Sequence, residues 1–145
     1  VTASTLRYLL DTNAISALAK QPQGAIATRI HEVGENTICT SIIVACELRF
    51  GVLKRGSARL TKQIDAILKA LPVLPIEPSV DTHYAAIRHA LETAGTPAST
   101  PVGPNDLLIA AHARALELTV VTADLSEFLR VPGLKVECWE APTAR

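Results

Sequence analysis

Short apolar or β-branched runs alternate with longer helical stretches along the whole chain, and this alternation limits the fold more than any other feature. Residues 6–10 read as a strand ending at Asp11. Residues 12–20 read as a helix stopped by Pro22, and 24–33 as a second helix ending near Gly34. Residues 37–40 form a short strand. Ser41 is the predicted N-cap of a helix over 42–54 that Gly56 closes. Ser57 caps the next helix, to about Leu71, in which Leu60, Ile64, Ile67, Leu68 and Leu71 keep helical spacing before Pro72. Residues 73–76 read as a strand, and Ser79 or Asp81 caps a helix running to Ala94. The stretch GTPASTPVGPN, residues 95–105, is a loop. An apolar helix over 106–116, a strand over 118–122, a helical turn near 125–129 and a strand over 135–138 complete the pattern. Strands alternating with helices predict an α/β fold: a three-layer α/β/α sandwich around a mostly parallel sheet.

The 145 residues fit one domain with one core, spanning 1–145. The longest uncharged apolar run, residues 38–46, is far short of the roughly 20 residues of a transmembrane helix. The opening VTASTLRYLLDTN does not read as a secretory leader. Cys39, Cys46 and Cys138 are odd in number and widely spaced, so buried free thiols in a reducing cytoplasm are expected, not disulfides or a CxxC metal site.

In parallel α/β sheets ligands gather at the carboxyl ends of the strands. Three acids fall where that rule looks: Asp11 after the first strand, Asp124 after TVVTA, and Asp106 opening an apolar helix behind the polar loop. Glu47 lies inside a helix whose neighbours, Ile42 to Cys46 and Leu48, are apolar, so it has no obviously wet face. Each acid has an ordinary role open to it, as N-cap, turn residue or solvent-facing side chain. Together they suggest more, because clustered carboxylates repel one another unless a cation sits among them. The expected ion is Mg2+ or Mn2+, which take oxygen ligands. His31, His83, His89 and His112 are scattered and suit structural roles, which disfavours zinc.

The 14 basic residues balance 14 acidic ones, but not evenly. Arg49, Lys54, Arg55, Arg59, Lys62 and Lys69 face one acid, Asp65, a net +5 over 21 residues. Such a patch suits a phosphate backbone, though a solvated helix face has the same composition. Divalent metal beside a basic patch points to phosphodiester chemistry, since the ion lowers the pKa of a water and steadies a leaving oxygen. Aromatics make up only 3%, so any nucleic acid should be recognised by shape and charge, not base stacking.

Four stretches, YLLDTNAISAL (8–18), TSIIVACELRFGV (40–52), PNDLLIAAHARALELTVVTAD (104–124) and EFLRVPGLKVECW (127–139), together resemble the PIN-domain ribonucleases, in particular the VapC-type toxins of bacterial toxin–antitoxin pairs. They occur in that family's order and spacing. The resemblance implies a PIN-like fold with Asp11, Glu47 and Asp106 as catalytic metal-binding acids. It leaves the fourth acid open between Asp124 and Glu127. Asn13 and Thr122 match small polar positions that line such pockets. Arg49, Lys54, Arg55, Arg59 and Lys62 become the candidate RNA-binding residues. The resemblance further implies an endoribonuclease cutting tRNA or ribosomal RNA, a homodimer, and a VapB-type antitoxin through which alone operator DNA would be contacted. An antitoxin peptide would cross the acids, with helices 42–53 and 58–71 as candidate groove walls. The alternatives are a non-catalytic binding module of the same fold, a receiver-type phosphoacceptor, and a flap nuclease. The receiver lacks its paired acid beside Asp11 and its lysine after the last strand, and a flap nuclease needs a longer chain.

Overall fold

The computed structural model describes residues 5–95 and 102–140. The elements run β1 (Tyr8–Leu10), α1 (Thr12–Lys20), α2 (Ala25–Val33), a 3-10 turn (Glu35–Thr37), β2 (Ile38–Ser41), α3 (Ile42–Arg55), α4 (Ala58–Ala70) and β3 (Val73–Leu74). They continue with α5 (Val80–Thr93), α6 (Pro104–Ala115), β4 (Thr119–Val121), α7 (Leu125–Phe128) and β5 (Val136–Glu137). The strands form one sheet in the order β3-β2-β1-β4-β5, with every neighbouring pair parallel. Helices cover both faces, as the α/β/α expectation required. Leu9 pairs with Cys39 on one side and Val120 on the other, and all three are fully buried. Burial on both faces is why these strands read as continuous apolar runs.

Topology places the site. The chain steps outward from β1 through β2 to β3, then returns through α5 and α6 to β4 on the opposite side of β1. Strand order therefore reverses between β1 and β4, the position at which an open parallel sheet leaves a crevice beyond its carboxyl ends. Asp11 and Thr122 immediately follow those two strands.

Several boundaries differ from the sequence reading. The strand at β3 stops at Leu74, because Pro75 has no N–H to extend a ladder. Helix α6 starts at Pro104, whose fixed φ suits the first helical position, so Asp106 lies in the first turn instead of opening the helix. Ser41 and Ser57 cap as expected, accepting from the N–H groups of Ile43 and Leu60. Ser79 stands at the N-cap position but has helix-like backbone angles and its side chain makes no capping bond; Asp81 sits in the first turn of α5. The loop reading over 95–105 falls largely on residues 96–101, outside the described residues. The thiols divide: Cys39 is buried, and burial pushes its pKa up to about 12. Cys46 and Cys138 are exposed, contrary to expectation.

Cys46 is exposed because α3 is apolar on more than its buried side. Val44, Ala45, Leu48 and Val52 face the core. Ile42, Phe50 and Leu53 are 40%, 66% and 80% exposed. The sequence argument that this helix has no wet face is thus corrected: it has one, and apolar side chains occupy it. Glu47 is half-buried. Among the described residues no helix is long and apolar enough to cross a membrane.

Candidate active site

Asp11 is the N-cap of α1, and its Oδ1 accepts from the Ala14 N–H at 2.8 Å. The ordinary reading of this residue as a helix cap therefore holds, with Oδ1 as the capping oxygen. Its own N–H donates to the Val121 carbonyl at 3.0 Å, tying the start of α1 to the end of β4. The side chain is only 3% exposed. Burial raises its pKa to about 6, and the charges of Asp124 and Glu47 push the same way. Hydrogen bonds from Thr122 and the Ala14 N–H oppose the rise without cancelling it.

Asp106 behaves similarly. Burial raises its pKa to about 7, helped by the charge of Glu127, a carboxyl–carboxyl hydrogen bond with it, and the charges of Glu47 and Asp11. Glu127, on the short helix α7, is fixed by the Gly103 N–H donating to its Oε1 at 3.0 Å. That bond joins the start of α6 to α7. Asp124 occupies the N-cap position of α7, where Ser126 Oγ donates to its Oδ1 at 2.7 Å. Its N–H donates to Thr122 Oγ1 at 2.9 Å, so buried Thr122 touches both Asp11 and Asp124. The sequence left Asp124 and Glu127 as rivals. The fold brings in both, Asp124 beside Asp11 and Glu127 beside Asp106.

Glu47 reaches the same place from α3. Thr12 Oγ1 donates to its Oε1, and Asn105 Nδ2 donates to its Oε2 at 2.9 Å. Both carboxylate oxygens are thereby aimed by residues adjacent to the other acids. Sequence reasoning did not assign roles to Thr12 and Asn105. Their signal was position: each is the immediate neighbour of an acid, in the order Asp11-Thr12 and Asn105-Asp106. Asn13, by contrast, is exposed on α1 and takes no part in this network.

Five carboxylates are thus linked: Asp11 feels the charges of Asp124 and Glu47, and Asp106 those of Glu127, Glu47 and Asp11. Among the described residues no three acidic, histidine or cysteine side chains meet in an arrangement that would hold a metal ion unaided. Mg2+ needs no such cage, since it usually keeps several waters and uses one or two carboxylates directly. The donor set fits it: oxygen only, with Asp11 and Asp106 both held at raised pKa by burial and like charge. A cation among them would favour the ionised form.

The histidine expectation holds for His112, which is fully buried with Nδ1 2.8 Å from Ser41 Oγ. It joins α6 to the cap of α3, and burial lowers its pKa. The basic residues differ in their surroundings. Arg49 pairs with Asp65 on α4. Lys54 lies over the Phe50 ring, 6.0 Å from its centroid. Arg59 and Lys62 are exposed on α4, and Arg55 stands at the end of α3.

Fold and site together define a PIN-like α/β/α domain with an acidic crevice. The chain matches the PIN domain family over residues 8–134. It is 35% identical to Ribonuclease VapC2 of Rickettsia felis, over 92% of this chain and 98% of that protein. It is 34% identical to the tRNA(fMet)-specific endonuclease VapC of Salmonella typhimurium, again over 92% and 98%. The crystal structure of VapBC2 from Rickettsia felis bound to a DNA fragment from their promoter has a matching chain with a TM-score of 0.82 and 32% identity, covering 93% of this chain and 100% of that one. The chain belongs to the PIN domain family, in the branch of the VapC ribonucleases.

Proposed function

We propose that this protein is an Mg2+- or Mn2+-dependent endoribonuclease toxin that acts in the cytoplasm as a single-domain homodimer on structured RNA, tRNA or ribosomal RNA, and so inhibits translation. A VapB-type antitoxin restrains it and provides its only contact with operator DNA. The relatives' names support the nuclease class and the toxin–antitoxin context. The observation that carries the metal-dependent reading is the convergence of Asp11, Glu47, Asp106, Asp124 and Glu127, whose like charges add to burial in raising the pKa of Asp11 to about 6 and of Asp106 to about 7.

Asp11 and Asp106 are the residues to hold the ion, with Glu47, Asp124 and Glu127 completing the ring directly or through water. When bound, the ion supplies a more acidic water and stabilises charge developing on the phosphodiester. The chain's own groups do the positioning. Thr12 and Asn105 fix Glu47, the Gly103 N–H fixes Glu127, and Thr122 holds Asp11 against Asp124. Without a cation, Asp106 is only partly ionised near neutral pH, so the free protein is poised to exchange a proton for a metal ion. Arg49, Lys54, Arg55, Arg59 and Lys62 are the residues proposed to contact RNA, with Asn13 at the pocket rim.

The test is cleavage of purified tRNA and ribosomal RNA by wild type and Asp106→Asn, with Mg2+, Mn2+ or EDTA, with 5′ ends mapped. Cleavage by wild type alone, abolished by EDTA, is expected. Equal cleavage by both proteins in Mg2+ overturns the assignment of the site. A stable acyl-phosphate on Asp11 after incubation with a small phosphodonor would favour the receiver-type alternative instead.

A further inference from the structure

A groove of about 130 Å3 opens beside the acid cluster, lined by α1, α3 and α4. Its lining has a direction. Along α1 it is Thr12, Ser16 and Lys20; along α3 it is Glu47, Leu48, Gly51, Val52 and Arg55. Leu60 and Ile64 of α4 complete it. Thr12 and Glu47, hydrogen-bonded to each other, form the end nearest the acids. Lys20 and Arg55 stand eight residues further along each helix, about 12 Å away at the rise of an α-helix. Both helices thus run from an acidic end to a cationic one. Among the described residues neither Lys20 nor Arg55 has an acidic partner, whereas Arg49, on another side of α3, is paired with Asp65.

Gly51 supplies an independent observation. It lies in the interior of α3, where glycine is destabilising relative to alanine. Nothing in the fold asks for it: a Cβ built there meets no atom within 4 Å. The space it leaves is inside the groove. A glycine that destabilises its helix and relieves no internal clash fits a site where something outside the chain approaches the backbone.

We propose that this groove is the track for the RNA strand flanking the bond that is cut, with Lys20 and Arg55 holding a flanking phosphate and Gly51 keeping the floor low enough for the strand to pass. This rests on the reading of the acid cluster as the cleavage site. Continuity through Thr12 and Glu47 favours the strand itself as occupant, and the two unpaired cations complement its phosphates. Half-buried Leu60 offers apolar surface to the strand, while Leu48, Val52 and Ile64 are core residues that back the groove.

The test measures binding apart from cleavage. A fluorescein-labelled single-stranded RNA and a tRNA transcript are titrated in EDTA against the full chain and its variants. Gly51→Ala should raise Tm by about 3 °C yet weaken RNA binding several-fold and raise KM with kcat little changed. Lys20→Gln and Arg55→Gln should each flatten the log–log salt dependence of binding by about 0.7. Each cation also complements the carbonyl end of its helix, so a small loss of Tm is expected, and the slope separates the two roles. Gly51→Ala with raised Tm and unchanged RNA affinity overturns the track. So does unchanged RNA affinity combined with weaker inhibition by an antitoxin peptide, which would assign the groove to the peptide. Failure of the underlying reading is distinguishable, because Asp106→Asn would then cleave like wild type whatever the groove variants do.

Discussion

The acid cluster and the basic stretch of α3 and α4 are opposite ways of assembling charge. The acids come from positions 11, 47, 106, 124 and 127, and the fold spends burial and mutual repulsion to gather them, which shows as the raised pKa values of Asp11 and Asp106. The cations are neighbours in sequence, exposed, and cost little to place. One is tied to Asp65, one lies over an aromatic ring, and Arg55 reaches a groove. Charge that is costly to assemble is held by specific bonds, as Glu47 is by Thr12 and Asn105. Charge that is cheap to place is held loosely and screened by salt. The first region should therefore respond to mutation in large steps, and the second in small, salt-dependent ones.

The largest expected effect is at the acids. Asp11→Asn and Asp106→Asn should each lower kcat by about 10²-fold or more with the fold intact by circular dichroism. Retained activity in both would dissolve the contrast between the regions.

Next is metal and pH. Both raised carboxyls bind protons more tightly in the folded than in the unfolded chain, so metal-free stability should fall as pH rises from about 4 toward about 7. Thermal scans across that range should show Tm declining by several degrees. Added Mg2+ or Mn2+ at pH 7.5 should restore it, and Asp106→Asn should lose much of both responses. A flat Tm profile would mean that neither burial nor like charge raises these two carboxyls.

A smaller effect is expected where the acids are merely aimed. Thr12→Val and Asn105→Ala should each lower activity about 10-fold, as loss of an outer-shell partner does. Metal affinity by titration calorimetry checks the cause, since a purely structural effect would change Tm and spare metal binding.

The smallest effects belong to the cations. Arg59→Gln and Lys62→Gln should weaken RNA binding modestly and flatten its salt dependence. Arg49→Gln should do less, because Asp65 already holds that guanidinium. A larger effect at Arg49 than at Arg59 would show that the pair opens on binding RNA.

Much of this was legible in the residues because its causes are local. Helix spacing, serine caps and glycine stops placed α1 to α5 within a residue or two, and the alternation of runs gave the parallel sheet. Asp11 and Asp124 were visible because each lies just beyond the carboxyl end of an apolar strand, where parallel sheets gather ligands. Errors arose where local signals competed. Pro104 took the helix start from Asp106, and Pro75 cut β3 short. The apolar content of α3 was read as burial, although half of it faces outward.

What the sequence alone determined was the elements, the layered architecture and the candidate acids, since each follows from periodicity and from the chemistry of single residues. Only the tertiary structure decided that Asp124 and Glu127 both belong to the cluster, that Thr12 and Asn105 hold Glu47, and that Lys20 shares a groove with Arg55. The reason is physical: those relations depend on how the reversal of strand order brings α1, α3, α6 and α7 to one end of the sheet, and no local pattern encodes a distance between residues so far apart in the chain.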